Sequence, residues 1–407
     1  MLLPASLTTV RLARSGTRAR SWRLFSASCP SRKEEPFRIL FCGSDDFSVA
    51  SLEAVHNAKG NIDVVVPAER QVGRGGRHAQ HHTYTPALRQ YAEKHNLPLS
   101  TVPSTGLKSW SPPSHFLPSP SSSTPDPEKT NVLLTASFGH IIPAPLLALF
   151  APTHRLNVHP SLLPRWRGAA PVQWTIAAGD EKTGVSVQGL VKYSLGVDAG
   201  DIVGRVYGVP VPENATYNSL LPHLALIGGD LLVDVLRQLK AGTASFTPQN
   251  PTHTTQAPKI TAPTAQLHFP TQTAVAIDRL HRGVGGQVPL WTTVGGRTVQ
   301  LLSLSVAPAP APAPATVGPQ DLSPSSCPPG PGPGPGPRPV DPDPGVAVLH
   351  TEKGKAKKDR KLFIACKDAT WLQVYSLRTA GKKALSAGEW WNGLPRDVRE
   401  GGVLRFG

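Results

Sequence analysis

Three polar side chains in the middle of the chain have the chemistry that acyl transfer to an amine requires. Asn157 and His159 are two positions apart, and Asp198 lies between glycines further along. An amide N–H stabilises a developing oxyanion, an imidazole carries a proton near neutral pH, and a carboxylate orients that imidazole. Taken singly, each has a plain structural explanation, as polar residues at a strand end or as a turn former.

The elements around these residues predict how they meet. Leu156–His159 reads as a strand, and side chains two apart on a strand point to the same face. Ligands of open α/β sheets bind at the carboxyl ends of the strands. Further strands are expected at 38–42, 63–66, 97–102, 132–136 and 185–191, with helices at 47–57, 84–95, 143–150, 172–178 and 216–241. This alternation favours a parallel or mixed α/β sheet.

The chain changes character after this unit. Residues 247–263 are polar and Pro-rich, which predicts a linker. Beyond them, short apolar runs predict a small β-barrel; they lie at 291–294, 299–306, 361–365 and 371–377. Residues 103–130, rich in Pro and Ser, read as a flexible surface insertion, and the Ala-Pro and Gly-Pro tract at 307–344 cannot bury a core.

Composition limits the class of protein. The 407 residues carry a formal charge of +15, which favours an anionic partner such as nucleic acid. Residues 1–33 hold seven Arg or Lys and no acid, which is typical of a mitochondrial transit peptide. The rest of the chain stays basic without them. The sequence has no run of eighteen apolar residues, so no membrane span is predicted. Its four cysteines are dispersed and give no support for a disulfide framework.

Longer runs of sequence are more specific than the three polar residues alone. Residues 157–171 read NVHPSLLPRWRGAAP, and this run closely resembles the signature of the methionyl-tRNA formyltransferase family. The resemblance continues at 41–47, 136–143, 179–185, 196–201, 257–260 and 381–393. It leaves out the two low-complexity inserts and the termini.

The resemblance implies a fold, a reaction and two substrates. It implies a Rossmann-like formyltransferase domain with a mixed or parallel sheet over residues 34–246, and a smaller OB-like barrel domain over 264–407. Members of the family move the formyl group of 10-formyltetrahydrofolate to the α-amine of methionine on initiator tRNA. No metal, membrane or obligate protein partner is expected, and the transit peptide predicts the mitochondrial matrix.

Roles for single residues also follow from the resemblance. Asn157 and His159 would stabilise the oxyanion, while Asp198 would hold His159 and assist proton transfer through water. The folate site would be lined by Ser161, Leu162, Leu163 and Pro164. Arg74, in Gly73-Arg74-Gly75, would reach the tRNA acceptor end.

Several departures and alternatives remain at this point. Residues 66–71, before Gly73, and residues 283–289 are atypical of the family. His78, His81 and His82 cluster, but no acid or Cys pattern completes a metal site, so a solvated loop is favoured. Relatives formylate glycinamide ribonucleotide or amino sugars, or hydrolyse formyl-folate. A non-catalytic RNA-binding relative is the alternative from another class, and the intact Asn157, His159 and Asp198 argue against it.

Overall fold

Buried aliphatic runs form the strands of a large sheet in the first half of the chain. The computed structural model describes residues 36–72, 82–118, 130–308, 343–350, 360–396 and 404–407. In chain order the first nine strands are β1 (Arg38–Gly43), β2 (Asn61–Pro67), β3 (Arg70–Val72), β4 (His82–Tyr84), β5 (Leu99–Val102), β6 (Asn131–Ala136), β7 (Arg155–His159), β8 (Lys182–Gly189) and β9 (Ile202–Pro210). Seven of them form one sheet in the order β5-β2-β1-β6-β7-β8-β9, and β3 pairs with β4.

The sheet is mixed, as the sequence predicts. Five neighbouring strands run parallel, because helices return the chain to the same edge: β5, β2, β1, β6 and β7. β8 and β9 run antiparallel to their neighbours. Strand β9 was not predicted from the sequence. Its Gly204, Gly208 and Pro210 weaken a strand pattern, and they are tolerated because β9 lies at the edge of the sheet.

Five helices accompany this sheet in the described part of the chain. They are α1 (Asp46–Asn57), α2 (Ala87–Lys94), α3 (Ala144–Ala148), α4 (Pro171–Ala178) and α5 (Tyr217–Lys240). α5 is long and apolar enough to cross a membrane by length and composition alone. It packs instead on α1 and the sheet, with Leu224 and Leu232 fully buried in the same core as Phe47, so it is a core helix.

Residues 103–118 correct one prediction. Their Pro- and Ser-rich composition predicts a flexible insertion, but Leu107 and Phe116 are buried in a second cluster with Leu133 and Phe150. Two short 3₁₀ turns carry these side chains inward. Composition hides this packing because two apolar residues among many polar ones are enough to anchor a loop. Residues 119–129 lie outside the described part.

The second half of the chain forms the predicted antiparallel barrel. Its strands are β10 (Leu290–Val294), β11 (Arg297–Ala307), β12 (Val346–His350), β13 (Lys361–Ala365), β14 (Trp371–Thr379), β15 (Leu385–Ser386) and β16 (Leu404–Arg405). The order is β10-β11-β14-β13-β12-β16, with β15 beside β14. The interior is filled by Phe269, Leu301, Leu372 and Trp390.

Two helices in this half were not predicted: α6 (Ala274–Val284) and α7 (Ala387–Asn392). α6 packs against α4 of the first half. A Cβ at Gly283 would lie 2.6 Å from the carbonyl oxygen of Gln173, so only glycine allows this approach. Gly283, the first of the residues 283–289 that are atypical of the family, therefore allows α6 to pack closely on α4.

Residues 247–263 are not the free linker that their composition predicts. Thr247 exchanges two backbone hydrogen bonds with Ile202, at 2.9 and 2.8 Å. The backbone N–H of Ala257, which is fully buried, donates to the carbonyl oxygen of Arg167, and the N–H of Arg167 donates to that of Thr255. Proline-rich sequence reads as linker because it lacks periodicity, yet single backbone groups still pair with a sheet edge. The predicted transit peptide and most of the 307–344 tract lie outside the described residues.

Candidate active site

A cavity of about 460 Å³ opens at the carboxyl ends of β1, β6 and β7. Polar side chains from each strand end or the following turn face it, and these include Asp45, Ser137, Asn157 and His159. The loop before β9 adds Asp198. Apolar walls come from residues 138, 141, 142, 147, 190, 191 and 197. The three residues predicted to act together therefore share one cavity.

Asp198 is held by donors on both carboxylate oxygens. Oδ1 accepts from Gln188 Nε2 at 2.8 Å and lies 3.5 Å from Asn157 Nδ2. Oδ2 accepts from the backbone N–H of Gly168 at 2.9 Å. Asp198 adopts a left-handed backbone with φ of 50°, which Asp tolerates better than most residues. This turn aims the carboxylate back into the cavity.

Gly168 is a glycine for a geometric reason. Its φ of 124° is unfavourable for other residues, and a Cβ there would lie 2.6 Å from the carbonyl oxygen of Ala257. A side chain at this position would push the strand-like segment away and move the N–H from Asp198. Gly168, in the loop that follows β7, thus helps to position the carboxylate of Asp198.

The amide of Asn157 has a fixed orientation. Its Oδ1 accepts a hydrogen bond from the hydroxyl of Thr135 on β6 at 2.7 Å. The NH₂ group therefore faces Asp198 and the cavity. An amide carries two N–H donors, so one stays available for an oxyanion after the other turns to the carboxylate.

His159 is buried, with 5% of its surface exposed. Nε2 lies 2.9 Å from the carbonyl oxygen of Trp166, and Nδ1 lies 3.7 Å from Oδ2 of Asp198. A proton on Nε2 donated to that carbonyl fixes the ring and turns the Nδ1 edge toward the carboxylate. The predicted Asp198–His159 pairing is thus present at ion-pair distance. The carbonyl oxygen of Trp166 is a second contact that orients the ring, and the sequence did not predict it.

Gln249 is a positioning residue that sequence reasoning missed. Its Nε2 donates to the carbonyl oxygens of Asp198 at 2.9 Å and Gly200 at 2.6 Å. Its Oε1 accepts from Nε and Nη2 of Arg167 at 2.9 and 2.7 Å. The side-chain amide of Gln249 therefore links the loop that carries Asp198 to the loop after β7 that carries Arg167. The residue lies in the segment read as a linker, where no local pattern marks it.

Gln188, the other missed neighbour, does carry a signal. It lies on β8 directly opposite Asn157 of β7. The mark that the sequence offered is a large amide side chain in a strand whose Val185 and Val187 are fully buried. Its side chain is 1% exposed and bridges Asp198 and Gln249.

The predicted folate-lining run follows Pro160, which lines the cavity. Ser161, Leu162, Leu163 and Pro164 are not among the described residues that line the cavity. Ser161 is fully buried, and its hydroxyl donates to the carbonyl oxygen of Arg165 at 2.7 Å. The backbone N–H of Leu163 donates to the hydroxyl of Ser186 at 3.1 Å. This run has a cis Leu163–Pro164 peptide, and its role in folate binding stays a prediction.

The two arginines of the same run are engaged by the protein. Arg165 pairs with Asp180 at 2.5 Å and stacks over the ring of Trp166 at 4.5 Å. Hydrogen bonding to Asp180 raises the pKa of Arg165. Burial lowers the pKa of Arg167, which is bound to Gln249. Both therefore act as loop caps in this structure.

Two other predicted features fall at the limit of what is described. Arg74, the predicted tRNA contact, lies outside the described residues, and so do His78 and His81. Within the described ranges, no group of three or more His, Cys, Asp or Glu is arranged to hold a metal ion.

Comparisons with known proteins identify the family of the chain. A family model described as Formyl transferase matches residues 37–236, and one described as Formyl transferase, C-terminal domain, matches residues 259–395. The mitochondrial methionyl-tRNA formyltransferase of Homo sapiens is 32% identical over 282 residues. That alignment covers 67% of this chain and 63% of the human protein. The methionyl-tRNA formyltransferase of Anaeromyxobacter dehalogenans is 32% identical over 78% of its own length and 65% of this chain.

Solved structures share the fold at low identity. WlaRD, a sugar 3N-formyl transferase, superimposes with a TM-score of 0.51 at 13% identity, over 86% of this chain and all of the other. An N-formyltransferase from Helicobacter canadensis gives 0.51 at 14% identity, over 83% of this chain and 98% of the other. At this identity the likeness concerns the fold alone.

Proposed function

The chain belongs to the formyl transferase family, and we propose that it moves a formyl group from 10-formyltetrahydrofolate to the α-amine of methionyl-tRNA. The observation that carries the proposal is the meeting of Asn157, His159 and Asp198 in one cavity. An amide donor, an imidazole and a carboxylate are the groups that this acyl transfer needs.

The chemistry follows from the positions of these groups. The neutral amine attacks the formyl carbon, a C–N bond forms, and the carbonyl oxygen becomes an oxyanion that accepts from the N–H of Asn157. The bond from the formyl carbon to N10 of the folate then breaks. The proton lost by the amine passes through water held at His159 and Asp198 to N10, and tetrahydrofolate leaves.

The donor suits the walls of the cavity. Phe138, Ile142 and Val191 offer apolar contact to a flat heteroaromatic ring, and the catalytic polar groups line the same cavity. Apolar walls with convergent polar groups are typical of cofactor sites. The folate would therefore bind with its formyl group toward Asn157.

Several features support a tRNA acceptor. The net charge of +15 favours a polyanion, and methionyl-tRNA formyltransferases are among the relatives. Arg297, Lys382 and Lys383 surround a small cavity on the barrel, where they could meet RNA phosphates. The proposal includes contact of Arg74 with the acceptor end of the tRNA, and initiator tRNA as the substrate. A mitochondrial matrix location is supported by the basic first 33 residues and by relatives named mitochondrial.

One assay separates this function from its alternatives. The full chain is incubated with 10-formyltetrahydrofolate and, in parallel, with charged methionyl-tRNA, glycinamide ribonucleotide, an amino sugar nucleotide or no acceptor. We expect formyl transfer to methionyl-tRNA at least tenfold above the other acceptors. Transfer to a small amine, or folate hydrolysis without acceptor, would identify another reaction. Binding of tRNA without any turnover would indicate the non-catalytic relative.

A further inference from the structure

A second carboxylate, Asp45, lines the same cavity and has no part in the chemistry described above. It follows β1, two residues beyond Gly43. Gly43 pairs with Ala136 of β6, and Ala136 pairs with Val158 of β7. Neighbouring strands are about 4.8 Å apart, so Asp45 lies on a strand end about 10 Å from that of Asn157 and His159. A ligand group of a few atoms spans that gap.

The two carboxylates differ in how they are satisfied. Asp198 has Gln188 and Asn157 at one oxygen, and Gly168 and His159 at the other. Asp45 accepts from the backbone N–H of Ser48 at 3.2 Å, and from Phe47 and Ser137. A carboxylate has about four acceptor positions. Three of the acceptor positions of Asp45 are thus filled, and one remains for a ligand.

The described cation near Asp45 is Arg70, whose guanidinium lies 4.9 Å from the ring centroid of Tyr84 and does not line the cavity. None of the described lining residues of the cavity is a lysine or arginine. Burial raises the pKa of the Asp45 carboxyl, and the neighbouring Asp46 raises it further. Tyr84 and Tyr217 also lie in its field, and burial followed by Asp45 raises the pKa of Tyr217 to about 12. The cavity is thus electrostatically suited to a cation, and its formyl donor is not one.

We infer that Asp45 binds the ammonium group of the acceptor and orients it toward the formyl carbon, an inference that rests on the proposed function. An α-amine arrives largely protonated, because its pKa is about 7.7–8.0. Asp45 holds that charge in the acceptor part of the cavity. Before the attack the ammonium gives one proton to water held at His159 and Asp198, which passes it to solvent, and the second proton goes to N10 as described above. Asp45 thereby selects a charged amine over a hydroxyl or an amide of the same size.

The same residue also caps helix α1, and this structural role needs a separate control. Asn is as good an N-cap as Asp, so Asp45→Asn removes the charge and keeps the cap. The neighbouring Asp46→Asn removes an equal charge from an exposed side chain that does not line the cavity. The two variants differ only in whether the lost charge faces the acceptor.

The thermal stability of Asp45→Asn has an expected sign. A carboxyl whose pKa is raised in the folded state is less easily ionised there than in the unfolded chain. Its ionisation therefore costs stability as the pH rises above about 3.9, the ordinary value for Asp. We expect Asp45→Asn to melt at the same or a higher temperature than wild type at pH 7, and no higher at pH 3. A lower melting temperature at pH 7 would assign Asp45 to the fold.

The decisive experiment compares two acceptors on the full chain. One is methionyl-tRNA, and the other is the same tRNA carrying the 2-hydroxy analogue of methionine, which has no ammonium. Dissociation constants are measured at pH about 6, below the α-amino pKa of about 7.7–8.0, and KM and kcat are measured for methionyl-tRNA. Hydrogen bonds to charged groups lead us to expect wild type to prefer the amine by about 10- to 100-fold.

Each outcome has a defined meaning. We expect Asp45→Asn to lose the preference and to raise the KM for methionyl-tRNA, with the KM for the folate unchanged, while Asp46→Asn behaves as wild type. If Asp45→Asn keeps the preference while wild type transfers formyl, the inference alone is overturned. If wild type transfers no formyl to methionyl-tRNA, the proposed function fails and the inference fails with it.

Discussion

The two sheets of this chain gather polar side chains in different ways. In the first sheet β1, β6 and β7 are parallel, so their carboxyl ends meet at one edge and bring Asp45, Asn157 and His159 to a single cavity. In the barrel, neighbouring strands are antiparallel and their ends alternate between two rims. Polar side chains of its strands pair with each other instead, as Arg378 of β14 does with Gln300 of β11.

The barrel has one place where turns do converge. Arg297 begins β11 after the Gly295-Gly296 turn, and Lys382 and Lys383 follow Gly381, whose φ is 78°. These three exposed cations surround a cavity of about 110 Å³ whose wall includes Trp390. The cavity is too small for a folate-sized ligand. The comparison teaches that parallel strand ends concentrate reactive groups, while the barrel can offer charge to a large partner.

The largest expected effect comes from the catalytic edge of the first sheet. Asn157→Ala, His159→Ala and Asp198→Ala should each lower single-turnover transfer by about 10²–10³-fold, because an oxyanion donor or its support is lost. The losses should be non-additive in double variants, since the groups act as a unit. Asp201→Asn, an exposed acid on the same loop, is the matched control. Near wild-type rates in two of the three variants would remove the mechanism.

Next in size is the link that holds the Asp198 loop. Gln249→Ala breaks hydrogen bonds to the carbonyl oxygens of Asp198 and Gly200 and leaves Arg167 without its acceptor. We expect kcat to fall by about 10-fold, equal to about 1.4 kcal/mol, with little change in the KM for folate. Gln238→Ala, on the exposed face of α5, should be silent. A Gln249→Ala enzyme with full kcat would show that the loop keeps its position without this amide.

The barrel should contribute to binding and not to the chemical step. Replacing Arg297, Lys382 and Lys383 together by Ala should raise the KM for methionyl-tRNA several-fold at low salt and leave kcat unchanged. The slope of log affinity against log salt should become shallower by about 2–3, because binding then neutralises fewer phosphates and releases fewer counterions. Replacing Lys59, Lys94 and Lys108 together by Ala removes an equal charge from exposed positions in the first half of the chain. An equal loss in both sets would mean that net charge alone matters.

The smallest effect on transfer is expected from the loop that composition reads as flexible. Phe116→Ala opens a cavity in the cluster with Leu107 and Phe150, and should lower the free energy of unfolding by about 3–5 kcal/mol. The transfer rate of the folded enzyme at low temperature should stay near wild type. Leu117→Ala removes a neighbouring side chain that is 44% exposed and should change stability by less than about 0.5 kcal/mol. Equal melting temperatures for the two variants would restore the flexible insertion.

Local patterns were sufficient for much of the fold. The buried strands β1, β6 and β7 were predicted within one residue at each end, because continuous aliphatic runs bounded by turns leave little choice. Strand β9 and helix α6 escaped, since glycines and a proline blur the first and a presumed barrel masked the second. In the same way, Leu107 and Phe116 were hidden by the composition around them.

For the candidate site, the sequence by itself determined which residue types carry the chemistry and that Asn157 and His159 share a strand face. Only the tertiary structure decided that Gln188 and Gln249 hold Asp198 and that Asp45 lines the same cavity. The physical reason is range. A strand period acts over neighbouring residues, whereas a hydrogen bond between Gln249 and the Asp198 loop depends on where two distant segments are brought by the packing of everything between them.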